Sequence, residues 1–132
     1  MVCSCDPDPI PFSVPESLRS HAPEAAEAMA ICPRCLELTA VDATSAPAGS
    51  DAAFARLSDA FPTGEAGVAM ALIVGQLDSV AMNRPAIEAL VDIVSDRGTD
   101  PWLVLERLAR AGSVDPDFDL DRRRRQLDQL LS

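Results

Sequence analysis

The chain has 132 residues and a mass of 14.0 kDa, enough for one domain or a small domain with an accessory module. It is 48% hydrophobic, too apolar to stay disordered throughout. Eleven cations against 21 acids leave a net charge of -10, which argues against general binding to nucleic acid or anionic membranes, since attraction to phosphate needs net cation density.

Residues 1–8 contain neither a basic region nor an apolar run, so no signal peptide is expected there. In residues 9–15, Ile10, Phe12 and Val14 share one face at period two, and the interspersed prolines confine the segment to an edge strand. A short helix is expected over residues 16–21, and a second opens at Pro23. Residues 28–31 read as a strand that leads into Cys32-Pro33-Arg34-Cys35, and residues 36–41 read as the strand that leaves it.

The chain's four cysteines, Cys3, Cys5, Cys32 and Cys35, form two close pairs separated by 26 residues. Where no oxidising compartment is indicated, such pairs are read as metal ligands before disulfides. Four thiolates close a tetrahedral Zn²⁺ site and leave no position for an activated water, so the zinc is expected to be structural. Iron in a rubredoxin-like site, or cysteines that are merely buried or redox-active, are the alternatives. Pro33 fixes a turn in which backbone N–H groups can point at sulfur. His21, the chain's one histidine, is a weak candidate ligand once four sulfurs are in place. A zinc-deaminase signature is absent, because His21-Ala22-Pro23-Glu24 has one residue too many and Pro33 lies inside the cysteine pair.

Strand, knuckle and strand make residues 1–42 a zinc-ribbon-like module, too small to fold without help from the metal. Residues 43–50 are a small-residue linker. Residues 51–132 then read as a bundle of four to five short helices, giving an α+β chain. The first helix, over residues 51–61, carries Phe54, Leu57 and Phe61. The second, over residues 65–82, is apolar nearly all round, which suits either the centre of the bundle or an interface with a partner. The most apolar stretch, residues 66–77, interrupted by Gly75 and Gln76, is too short to cross a bilayer. Asn83 is expected to cap a third helix with Pro85 in its first turn. Asp100-Pro101 opens a fourth, and Asp115-Pro116 opens a fifth around Phe118, Leu120 and Leu127.

The last helix carries Arg122, Arg123, Arg124 and Arg125. Four consecutive residues spread around a helix, and acids stand at helical spacing: Asp119 to Arg123, Asp121 to Arg125, Arg124 to Asp128. A solvated, ion-paired helix is therefore expected. The alternative is contact with nucleic acid or a partner through these four residues together with Arg34 on the knuckle.

All 11 cations are arginine, lysine is absent, and aspartate outnumbers glutamate 14 to 7. This composition resembles that of proteins from salt-in halophiles. At about 1 M salt the Debye length is about 3 Å, so the repulsion among excess carboxylates is screened. The acidity is even: residues 1–49 hold two arginines and seven acids, residues 50–132 nine arginines and fourteen acids. The knuckle at residues 32–35, the Ser58-Asp59-Ala60-Phe61-Pro62 region and the tail at residues 122–131 resemble a haloarchaeal family of uncharacterised proteins related to small C-P-x-C-G zinc fingers. Leu36 stands where that knuckle has glycine, and the first pair is C-x-C rather than C-x-x-C. The resemblance implies a zinc site and no known activity.

With one histidine, no lysine, no tyrosine and no glycine-rich phosphate loop, the chain offers no nucleophile or acid–base pair, so it is not expected to be an enzyme. The expectation is a cytoplasmic, non-catalytic zinc adaptor that binds a protein partner or a second copy of itself. It is expected to use no membrane and no small-molecule substrate. A nucleic-acid-binding regulator is the alternative.

Overall fold

Ile10, Phe12 and Val14 are all buried, and the strand they define, β1 (Ile10–Ser13), lies at the edge of a three-stranded antiparallel sheet. The computed structural model describes residues 8–48, 52–111, 114–116 and 118–131. The centre of the sheet is β2 (Ala28–Ile31), buried at every position, and β3 (Leu38–Ala40) is the other edge. Ile10 pairs with Ile31 and Ile31 with Leu38, so the start of β1 and the β2–β3 turn lie at the same end of the sheet. β1 is preceded and interrupted by prolines, as suits an edge strand, and its outer edge is partly covered. There Ser13 N donates to Pro47 O (2.7 Å) and Ser13 Oγ to Ala46 O (2.9 Å).

Between β1 and β2 the chain forms α1 (Glu16–Arg19) and a single 3-10 turn at Pro23–Ala25, in place of the helix expected to start at Pro23. Glu24 and Ala25 adopt left-handed backbone (φ 59° and 52°), which ends any helix.

The expected helix over residues 51–61 reduces to one 3-10 turn, Phe54–Arg56. Ser58 is a local reason: its Oγ accepts from Ala60 N (3.1 Å), an alternative to helical bonding. Phe54, Leu57 and Phe61 are buried all the same. α2 (Gly64–Gly75) then runs with Ala66 through Val74 buried within the chain itself, which places it at the centre of the molecule.

The expected continuation of α2 to residue 82 does not form. At Gln76 the backbone leaves helical geometry, and the buried side chain turns back, donating from Nε2 to Leu72 O (2.9 Å) and His21 O (3.1 Å). After a 3-10 turn at Leu77–Ser79, α3 (Val80–Asp96) departs, the two helical stretches meeting at a bend of 43°. α3 starts before Asn83, which instead donates its amide to Gln76 O (3.2 Å), so Pro85 falls inside the helix. α4 (Pro101–Ala109) is capped as expected, Asp100 Oδ1 accepting from Trp102 N and Leu103 N. In α5 (Leu120–Leu131) the cap is Asp119 rather than Asp115, with Oδ1 accepting from Arg122 N (3.1 Å).

One hydrophobic core joins sheet and helices. Phe54 touches Phe12 of β1 and Phe61, with ring centroids 5.4 and 5.6 Å away. Two glycines of α2 set the approach of the layers. A Cβ on Gly67 would lie 2.5 Å from Pro62 O and 2.7 Å from the Phe54 ring, and one on Gly75 would run into Leu38 of β3. The glycines thus seat a ring and a strand rather than a second helix. Among the described residues no single helix is long and apolar enough to cross a membrane.

Candidate functional site

β2 runs directly into Cys32, and the hairpin closes through Cys32 N to Glu37 O (3.0 Å) and Leu36 N to Cys32 O (3.0 Å). Inside this turn two backbone N–H groups, from Arg34 and Cys35, donate to Cys32 Sγ at 3.4 and 3.5 Å. Such donors stabilise negative charge on sulfur, the form in which cysteine binds metal. Cys32 is buried and Cys35 half-buried.

Leu36 adopts φ +66°, the left-handed conformation that glycine takes without strain. The strain costs a non-glycine residue about 1–2 kcal/mol. The Leu36 side chain is buried, and full burial of a leucine returns about 1.5–3 kcal/mol. Burial therefore balances or exceeds the strain, which accounts for leucine at the glycine position of the knuckle.

The tip of the turn is tied to the far end of the chain: Asp115 N donates to Arg34 O (2.6 Å). Beside the knuckle lies a cleft of about 500 Å³ walled by Cys35, Glu37, Leu38, Gly75, Asp78 and Phe118. Cys3 and Cys5 lie outside the described residues, and among the described ones no group of three or more His, Cys, Asp or Glu is arranged to hold a metal. His21 contributes its carbonyl to Gln76.

Arg34 is exposed on the knuckle, away from the other candidate arginines in sequence. On α5, Asp121 gathers two of the four: Arg124 Nη2 lies 2.7 Å from Oδ1 and Arg125 Nη2 3.1 Å from Oδ2. The hydrogen bond from Arg124, with the neighbouring guanidinium charges of Arg124, Arg125 and Arg110, holds the Asp121 carboxyl below its ordinary range. The expected Asp121–Arg125 pair thus forms. Asp119 serves as helix cap, and Arg123 donates instead to Gln126 Oε1 (3.2 Å). Arg122, Arg123 and Arg125 line one depression together with Phe118. The sequence had suggested that the run would disperse around the helix. The i, i+3 relation of Arg122 to Arg125 was the available signal, and the depression also depends on Phe118 reaching the same side.

Knuckle, sheet and helices define a small α+β protein organised around a C-P-x-C hairpin. The chain belongs to DUF6276, a family of unknown function, which it matches over residues 2–131. No curated protein and no solved structure matches it.

Proposed function

We propose that the protein is a zinc-binding, non-catalytic adaptor in which Cys3, Cys5, Cys32 and Cys35 hold one structural Zn²⁺. The observation that carries this reading is the pair of N–H donors at Cys32 Sγ inside a C-P-x-C hairpin. Sheet register supports it. Since Ile10 pairs with Ile31, the chain reaches β1 from the knuckle end, and Cys5 is only five residues before Ile10. Five residues span up to about 17 Å and seven up to about 24 Å, so both upstream thiols are within reach of the knuckle. The metal would cross-link the segment before β1 to the β2–β3 turn, and four thiolates would leave it coordinatively closed.

In this reading residues 1–42 form a zinc-ribbon-like metal module, residues 43–50 connect it, and residues 51–132 support it. The adaptor works in a reducing, salt-rich cytoplasm of haloarchaeal type, as the lysine-free acidic composition suggests, and binds protein or a second copy of itself. Native mass spectrometry in volatile salt tests the metal. One zinc per chain is expected, lost in Cys32→Ser and Cys5→Ser alike; a metal-free wild-type chain, prepared without chelator and with zinc supplied, would overturn the reading. Circular dichroism tests the setting: the helical signal should fall between molar and dilute salt, and an unchanged signal would remove the halophilic part.

A further inference from the structure

Three arginines of α5 line one concavity. Residues 122, 125, 126 and 129 follow helical i, i+3, i+4, i+7 spacing, and with Arg123 and Phe118 they line a depression of about 850 Å³. Arg124 is directed to Asp121 instead. Among the described residues the depression has one carboxylate, Asp119, whose Oδ1 accepts from Arg122 N as helix cap. Arg125 is only partly committed, with a single 3.1 Å contact to Asp121 and a side chain 66% exposed. Arg123 gives one N–H to Gln126, and each guanidinium has five to offer. Among the described residues the lining thus gathers three arginines and one aspartate beside Phe118, on a chain whose net charge is -10.

These features select the ligand. Clustered guanidiniums bind phosphate through charge-assisted, bidentate hydrogen bonds, and Phe118, half-buried against the core, adds aromatic surface on which a planar base could rest. The size of the depression lies in the range of small-ligand sites, about 300–1,000 Å³. A compact polyanion can be held wholly by the three arginines, whereas a long one would extend beyond the only cluster of cations in the sequence. We propose that this depression binds a nucleoside phosphate, with its phosphates on Arg122, Arg123 and Arg125 and its base against Phe118. Among the described residues no cysteine lines it, so ATP binding is tested apart from the metal, although Phe118 also walls the cleft beside Cys35.

Isothermal titration of the full chain with ATP tests the proposal, with tripolyphosphate, adenosine and an RNA decamer as comparisons. One ATP per chain is expected, with tripolyphosphate weaker and adenosine not bound. Arg122→Ala and Arg125→Ala should each weaken ATP about tenfold or more. Arg107→Ala, an equal change of charge at an exposed position on α4, should stay within about twofold. Phe118→Leu should weaken ATP and leave tripolyphosphate unchanged. No saturation at millimolar ATP, adenosine binding as tightly as ATP, or the decamer binding more tightly than ATP would each overturn the proposal. So would ATP affinity that survives both arginine substitutions, which lie on an exposed helix face and leave the core intact.

Discussion

The sheet region and the helical region share one core, yet they reach it by different means. The strands are three or four residues long, and their order depends on register, on a turn strained at Leu36 and on a short connection that covers the edge of β1. The helical region is built around α2, whose residues from Ala66 to Val74 are all buried, so apolar burial alone gives it a reason to form. A region held by burial tolerates loss of any one polar contact. The short strands add burial through Ile10, Phe12 and β2 but also depend on turns and register, and the cysteine knuckle sits at one of those turns.

Phe54 is where the two regions meet, and its truncation should have the largest effect. Phe54→Ala removes the ring between Phe12 and Phe61 and should cost about 3–5 kcal/mol by denaturant unfolding, with sheet and helix signals lost together. If the sheet signal alone were lost, the shared core would be a weaker link than described.

Next come the two glycines. Glycine to alanine inside a helix ordinarily gains about 1 kcal/mol. Gly67→Ala should reverse the sign and cost about 1–3 kcal/mol, because the new methyl meets the Pro62 backbone and the Phe54 ring. Gly75→Ala should cost less, since its obstacle is the half-buried Leu38 side chain, and Leu38→Ala in the same molecule should recover much of the loss. Equal costs at the two glycines would contradict this ranking.

Leu36 sharpens the contrast at the knuckle itself. Leu36→Ala keeps the left-handed strain and gives up burial, so it should destabilise by about 2 kcal/mol or more. Leu36→Gly gives up burial and strain together and should lie within about 1 kcal/mol of wild type. Glycine behaving as badly as alanine would show that strain at this residue is negligible.

The smallest effects belong to α5. Asp119→Ala should cost about 1 kcal/mol as loss of a helix cap, and Asp115→Ala almost nothing, because among the described residues Asp115 contributes its backbone N–H alone. The reverse order would restore the cap that the Asp115-Pro116 pair suggests.

The sheet was the more legible half. Period-two burial of Ile10, Phe12 and Val14 and the strands flanking the cysteine pair followed from spacing alone, because strand alternation is local. Helix boundaries were less legible, because side chains compete for backbone groups. Gln76 turns on its own helix, Ser58 holds a turn where a helix fits, and Asp119 outcompetes Asp115 as cap. The role of Gly67 and Gly75 depends on which element lies opposite, which only the tertiary arrangement decides. At the candidate site the cysteine pair and its turn were readable. The Asp115 contact to the knuckle, and the side of α5 that Phe118 shares with the arginines, link residues far apart in sequence or separated by an irregular turn.

The central claim concerns four sulfurs around one metal. X-ray absorption at the zinc edge on the full-length protein measures that shell directly. Four sulfur neighbours at about 2.3 Å are expected, with no nitrogen or oxygen bound to the metal. A shell with two sulfurs completed by lighter atoms, or a protein that binds no zinc when zinc is supplied under reducing conditions, would contradict it.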